Sequence, residues 1–415
     1  MHWSLIVAGL ACAICDGRAA HAQTLPCGYV ISDVIEAEPM PCVGPSPTKA
    51  LAISPNGRWV CGQSQSGGIS AGEGFWYDTI THELHIFTHP SETRSSCCSD
   101  INDHGWLVGF QQTSDDYPYP SSGFVFDVHA KRVVAELLPH PNAAWCDIMG
   151  INSSNVVCGM RSIGSPSHQG YPATAFRWTV EGGFEEMSVE KWGSSGAVAI
   201  ADDGVATIGT SDIIQGRLWN GEEVVSLGQM PDATATFGID IEAGQHVVGY
   251  GGSSLNNLGT RPFEFRNGRF RVLDTLGPEF PVGATNSLNA AGFIVGCVAD
   301  PAWQHYRACL WIGEKVVDLN SMIPAGSGVT LTRCEGISSE GAIVCIAKTD
   351  DGRIVSVVLQ PRLRREGDAN CDERVNIIDL LLIIEQWGES SAAGDLNNDG
   401  SVNIADLLQV IVHWG

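Results

Sequence analysis

The sequence is poor in positive charge. Twenty-three Lys and Arg stand against 47 Asp and Glu, a formal charge of −24 over 415 residues. So few cations cannot build a basic patch large enough to neutralise a run of phosphates, which excludes nucleic acid as a partner. Long apolar runs are also missing: beyond the N-terminus no stretch reaches the ~18 apolar residues that a membrane span needs. Catalytic signatures are scarce. There is no H-E-x-x-H, no glycine-rich phosphate loop followed by lysine, and no histidine cluster at ligand spacing. Glycoside hydrolysis needs only two carboxylates ~5–9.5 Å apart, and Asp115, Asp116 and Asp300 are of the right type. Among 47 acidic residues any such pair is arbitrary, so these three are read as solvated surface.

What is present suits a turn-rich globular chain: 48 glycines, 44% apolar residues and 17% charged ones. The length allows a large all-β unit with a small appendix. Residues 1–22 contain an apolar stretch at 5–15 and then Ala20-His21-Ala22, a small-x-small cleavage pattern. A secretion signal removed after Ala22 is predicted, placing the mature chain outside the cell or on its surface. Fourteen cysteines agree with an oxidising compartment. Four pairs lie close in sequence and are read as disulfides: Cys27 with Cys42, Cys146 with Cys158, Cys297 with Cys309, and Cys334 with Cys345.

The phrase Ala52-Ile53-Ser54-Pro55-Asn56-Gly57-Arg58-Trp59-Val60-Cys61-Gly62 returns as Asp100-Ile101-Asn102-Asp103-His104-Gly105-Trp106-Leu107-Val108-Gly109, and again around Ile151, Ile200, Ile239, Leu288 and Ile337. Spacings of 48, 50, 49, 39, 49 and 49 residues make seven copies. Each continues into a second phrase such as Ala175-Phe176-Arg177-Trp178 and then an alternating segment such as Val316-Val317-Asp318-Leu319. One copy therefore supplies four short strands, and seven copies predict a seven-bladed β-propeller. After Ile354-Val355-Ser356-Val357-Val358-Leu359 the last copy lacks a fourth strand. The segment Tyr29-Val30-Ile31-Ser32-Asp33-Val34-Ile35 has the required alternation and is predicted to close that blade, removing an exposed edge. The pattern I-N-x-x-G-x-I-V-G followed by A-F-x-W resembles the extracellular HAF repeats across roughly residues 45–360. That resemblance implies secretion and a propeller-like fold and names no reaction.

Trp76, Phe126, Trp178, Trp219, Phe265 and Trp311 recur at one place in each copy and are predicted to pack between blades. The long connections gather on one face and carry Tyr117, Tyr119, Tyr171, Trp303 and Tyr306. Such side chains either cover blade ends or stack on a carbohydrate or protein ligand.

After Arg362-Leu363-Arg364-Arg365 the composition changes, and two segments beginning at Gly367 and Gly394 align without a gap. A calcium loop takes oxygen ligands at positions 1, 3, 5, 7, 9 and 12, the seventh through a backbone carbonyl. The first loop offers Asp368, Asn370, Asp372, the Arg374 carbonyl, Asn376 and Asp379; the second offers Asp395, Asn397, Asp399, the Ser401 carbonyl, Asn403 and Asp406. Hard oxygen donors in this number favour Ca²⁺ over Zn²⁺. Each loop runs into a helix with one apolar stripe, Ile377, Leu380, Leu381, Ile384 and Trp387 on the first and Ile404, Leu407, Leu408, Ile411 and Trp414 on the second. The two stripes are expected to bury each other.

The doubled D-x-N-x-D-x-x-x-N-x-x-D-L phrase resembles a type I dockerin over residues 367–415. That resemblance implies calcium binding, a cohesin-type partner on a scaffold or surface, and frequent association with polysaccharide-degrading enzymes. Glu373 stands at the sixth loop position, where glycine makes a sharp turn, so the first of two calcium sites is expected to be the weaker. Positions ten and eleven hold Ile377-Ile378 and Ile404-Ala405 in place of a Ser/Thr pair. The expected organisation is a signal at 1–22, a mostly β seven-bladed propeller at 23–361, a linker at 362–366 and a small helical, EF-hand-like calcium domain at 367–415. The expected function is a secreted binding or structural module tethered to a cohesin-type partner; the alternative is a glycoside hydrolase or polysaccharide lyase on the same propeller.

Overall fold

The computed structural model describes residues 26–36, 47–65, 72–87, 95–112, 114, 120–141, 143–163, 173–187, 194–210, 216–252, 259–313, 315–389, 393–397 and 399–415. Contacts divide them into two units, Pro26–Leu363 and Arg364–Gly415. The proposed signal, Cys42, Tyr117, Tyr119, Tyr171, Asp115 and Asp116 lie outside the described residues.

In the larger unit the described strands form seven four-stranded antiparallel sheets. Their innermost strands are Thr48–Ile53, Ser95–Ile101, Cys146–Ile151, Ser195–Ile200, Ala235–Glu242, Val282–Leu288 and Val329–Ile337, for blades 1 to 7. Each touches the next, and the last meets the first, which closes a propeller ring. The shortest repeat gives the slightest blade: the outer three strands of blade 4 span only five, three and three residues. In blade 7 the outermost strand is Tyr29–Ile35, paired antiparallel with Ile354–Pro361 from Tyr29 opposite Pro361 to Ile35 opposite Ser356. The pairing runs on through Cys27 N–H to the Arg362 carbonyl at 3.0 Å. The closing strand is thus the segment the sequence reading chose.

Small and large residues of the repeat have separate duties. The glycine ending the phrase, as at Gly109 and Gly249, lies against the neighbouring strand so closely that a Cβ would strike the carbonyl oxygen of Cys97 or Phe237. The recurrent aromatics fill the joints between blades. Trp76 of blade 1 meets Phe126 of blade 2 with ring centroids 5.2 Å apart, within one buried cluster that also takes in Trp59, Phe87 and Phe124.

Disulfide pairing departs from expectation. Cys334 and Cys345 face each other on adjacent strands and are bonded. Cys146 and Cys158 are buried free thiols, because the register puts Cys158 opposite Gly150 and Cys146 opposite Arg161. Cys297 and Cys309 are also free. Cys297 pairs with Ala308 and Cys309 with Gly296, and residues one step apart on a strand point to opposite faces of the sheet. Cys27 is disulfide-bonded.

The smaller unit holds helices α1 (Ile377–Glu385) and α2 (Ile404–Val412), each capped by the loop asparagine before it, Asn376 and Asn403. The expectation that the two apolar stripes bury each other is wrong. The core is built from Ala369, Val375, Ile383, Val402 and Val410, with Leu380 and Leu407 packed against it. The cause is the last loop position. Asp379 turns inward to accept the N–H groups of Asn370 at 3.1 Å and Asn376 at 2.8 Å. At ~100° per residue, this rotation carries Ile377, Leu381 and Ile384 to the opposite side. These are 51%, 53% and 52% exposed, and on α2 the equivalent Ile404, Leu408 and Ile411 are 56%, 51% and 49% exposed.

Candidate metal centres and the propeller channel

Both acidic loops converge on themselves. In the first, Asp368 accepts the N–H groups of Asp372 at 3.1 Å and Glu373 at 2.9 Å, and Asp372 accepts that of Arg374 at 2.9 Å. Asn370 Nδ2 lies 3.0 Å from Asp372 Oδ2. The second loop repeats the arrangement: Asp395 accepts from Asp399 and Gly400, Asp399 from Ser401, and Asp406 from Leu396, Asn397 and Asn403. Asn403 Nδ2 reaches the Ser401 carbonyl at 2.8 Å and Asp399 Oδ2 at 3.1 Å.

Charge is the test of whether these loops suit a cation. Asp368, Asp379, Asp395 and Asp406 are at most 4% exposed, and among the described residues none forms an ion pair with Lys, Arg or His. Arg364 lies near enough to feel the charges of Asp368 and Asp395, but one guanidinium against four buried carboxylates leaves negative charge that a bound cation would match, since buried charge is ordinarily paired or metal-coordinated. Among the described residues no three His, Cys, Asp or Glu side chains form a metal-holding group by themselves; asparagine amides and carbonyl oxygens would complete each set, as hard divalent cations accept. The turn at position six needs a left-handed backbone in both loops. Gly400 takes it at φ +88° without cost, and Glu373 takes it at φ +70°.

The propeller encloses a channel of about 820 Å³ along its axis. Blades 1 to 5 present Leu51, Ser99, Met149, Val198 and Ile239 to it, whereas blades 6 and 7 present Asn286, Arg333 and Glu335. Glu335 is buried at 8% exposure and ion-paired with Arg333 at 2.6 Å. Asn286 Nδ2 donates to Glu335 Oε2 at 3.2 Å and to the Cys334 carbonyl at 2.7 Å. Sequence reading missed this group; its signal was charge at Arg333 and Glu335 on a strand whose counterparts are mostly apolar or small.

Two further channel carboxylates serve the ring. Asp100 accepts from Ile101 at 2.8 Å and from Ile151 of the next blade at 2.9 Å; Asp240 accepts from Ile241 and, at 3.1 Å, from Leu288 of the next blade. Burial pushes the Asp100 carboxyl up to about 7 against the pull of those N–H groups. Glu242, also at the channel, is raised to about 7 by burial and by the charge of Asp240. Of the aromatics singled out from sequence, Trp303 and Tyr306 line one mouth of the channel. Asp300 organises the turn beneath them, accepting Gln304 N–H at 2.7 Å and pairing with His305 Nδ1 at 2.8 Å.

A family model for the dockerin type I domain matches residues 366–413. Comparison with curated proteins finds no match. Among solved structures, oligogalacturonate lyase from Vibrio parahaemolyticus is 10% identical, with a TM-score of 0.50 over 79% of this chain and 91% of that one. Prolyl endopeptidases, 9% identical, give 0.51 over 77% of this chain and 50% of theirs. An acylaminoacyl peptidase, 11% identical, gives 0.50 over 77% and 52%. The chain thus spans about half the length of the peptidases it matches, and these likenesses bear on the fold alone. The C-terminal segment of this protein, residues 366–413, is a type I dockerin domain carried on the same chain as a seven-bladed β-propeller.

Proposed function

We propose that this is a secreted protein whose dockerin domain, holding calcium, attaches a β-propeller binding module to a cohesin-type partner on a scaffold or cell surface. Residues 1–22 act as the export signal, 23–361 as the propeller, 362–366 as the linker and 367–415 as the attachment domain. The disulfide between Cys334 and Cys345 supports an oxidising destination. Calcium occupies two loops, held by Asp368, Asn370, Asp372, the Arg374 carbonyl, Asn376 and Asp379, and by Asp395, Asn397, Asp399, the Ser401 carbonyl, Asn403 and Asp406. It supplies the positive charge that the buried carboxylates call for and locks each loop onto its helix.

The observation that carries the attachment role is the outward rotation of the apolar stripes. Half-exposed isoleucine and leucine on both helices, and a tryptophan two residues beyond the end of each, at matching positions, are what an apolar partner groove would cover. Aspartate at Leu381 and Leu408 together should reduce capture of the full chain by an immobilised cohesin module at least tenfold, with calcium content unchanged. Undiminished capture would refute this role. For the propeller, a carbohydrate ligand is the reading supported by its aromatic mouth. The alternative, a glycoside hydrolase or lyase, has less support, because Asp100 and Asp240 have their carboxylate oxygens engaged by backbone N–H groups.

A further inference from the structure

We infer that the channel mouth between blades 5, 6 and 7 binds a neutral, hydroxyl-rich sugar unit, with Trp303, Tyr306 and Tyr250 as stacking surfaces and the Arg333–Glu335 pair as its polar contact. This inference rests on the reading of the propeller as a carbohydrate-binding module and specifies where and what it binds.

Geometry brings these groups together. Trp303 and Tyr306 lie with ring centroids 6.0 Å apart, and Tyr250, half-buried on the neighbouring blade, packs against Phe237 at 5.2 Å. Tyr250, Trp303, Tyr306, Arg333 and Glu335 line one cavity, whose volume falls within the ~300–1,000 Å³ of small-molecule sites. Trp303 is held at φ +56°, a left-handed conformation that costs a bulky residue about 1 kcal/mol or more. The turn enforces it: Trp303 N–H bonds the Asp300 carbonyl at 3.0 Å, Asp300 N–H bonds the His305 carbonyl at 3.0 Å, and the Asp300 carboxylate ties Gln304 and His305. Asp300 is thereby a positioning residue for the ring.

Charge selects the ligand. Arg333 is the one cationic side chain lining the cavity among the described residues, and Glu335 already answers it. Asp100, Asp240 and Glu242 add further acidity, and Lys49, whose charge reaches Glu335, does not line the cavity, so a uronate or phosphate within it would meet no unpaired cation. A neutral sugar needs no unpaired charge. Its hydroxyls accept from the exposed Arg333, whose side chain is 47% exposed and which the buried Glu335 holds in place, while its C–H faces lie on the rings.

Calorimetry on the full chain, with xylohexaose, mannohexaose and cellohexaose as neutral probes and a hexamer of galacturonate as the charged one, tests the assignment. Saturable binding of at least one neutral probe is expected, with no binding of the galacturonate. Trp303→Ala should weaken binding at least tenfold without lowering the melting temperature, and Asp300→Ala should weaken it less, through the turn. Arg333→Gln supplies a second variant on the opposite wall. Binding that survives both Trp303→Ala and Arg333→Gln would overturn the site and leave the carbohydrate reading standing. Binding of galacturonate alone would overturn the neutral class. Failure of every probe to bind a chain that still engages a cohesin module would overturn both the site and the carbohydrate reading, and leave attachment untouched.

Discussion

Asn152 Nδ2 in blade 3 donates to the backbone carbonyl of Ala201 in blade 4 at 3.0 Å. The same side chain accepts the N–H groups of Ser154 and Val156 at 3.1 and 2.9 Å, closing its own tight turn. Asn102 and Asn289 do likewise, reaching the carbonyls of Asn152 and Ser338 at 3.0 Å. The asparagine of the repeat is therefore both a turn residue and a latch between blades. Serine at the equivalent Ser54 and Ser338 keeps the turn, accepting from Trp59 and Ala342.

Separating those two duties gives a stability prediction. Asn152→Ala leaves buried backbone groups unmet on both sides of the joint and should cost about 1–3 kcal/mol. Asn152→Ser should recover the turn and only part of that loss. Urea unfolding of both variants checks it; equal, negligible losses would show that the latch contributes nothing.

Ring closure makes the next prediction. Removing residues 26–36 strips the outermost strand from blade 7 and exposes the edge of Ile354–Pro361. Size-exclusion chromatography should show association or aggregation in place of a monodisperse species. A stable monomeric deletion variant would contradict the account of closure.

The fold was legible because its signals are local and repeated. The period, the strand alternation and the missing fourth strand could all be read directly along the chain, so the closing segment from Tyr29 to Ile35 was found. Features set by rotation or register were hidden. The helix stripes were assigned inward because periodicity reveals a face without saying which way it turns; the inward Asp379 and Asp406 decide that. Cys146 and Cys158 look bridgeable in sequence, and the strand register, which puts Cys146 opposite Arg161 and Cys158 opposite Gly150, sets them apart. Arg333 and Glu335 form a group with Asn286 only once blade 6 stands beside blade 7.

Acidity should stabilise the ring in a defined window. Folded Asp100 and Glu242 hold protons up to about 7, whereas unfolded carboxyls release them near ~4. Between those values the native chain binds more protons, so unfolding free energy falls as pH rises and levels off above about 7. Asp78 and Glu264, held low, titrate beneath the window. Urea midpoints should be higher at about pH 5 than at about pH 7.5, with a smaller difference in Asp100→Asn. A midpoint rising across this range, or an unchanged slope in the variant, would contradict the assignment.

Glu373 at φ +70° predicts unequal affinities for the two proposed calcium loops. Replacing it with glycine removes a left-handed penalty of about 1 kcal/mol, so the first loop should bind calcium roughly fivefold more tightly. Asp395→Ala with Asp406→Ala should abolish the second site alone. Calorimetric titration resolves both; unchanged stoichiometry in the double variant would refute the ligand assignment.

Attachment is the central claim, and the most direct measurement is titration of the calcium-loaded full chain with a cohesin module, repeated after chelation. The account predicts a saturable complex in calcium that is lost in chelator and restored on adding calcium back. Binding of equal strength without calcium, or none in its presence, would contradict it.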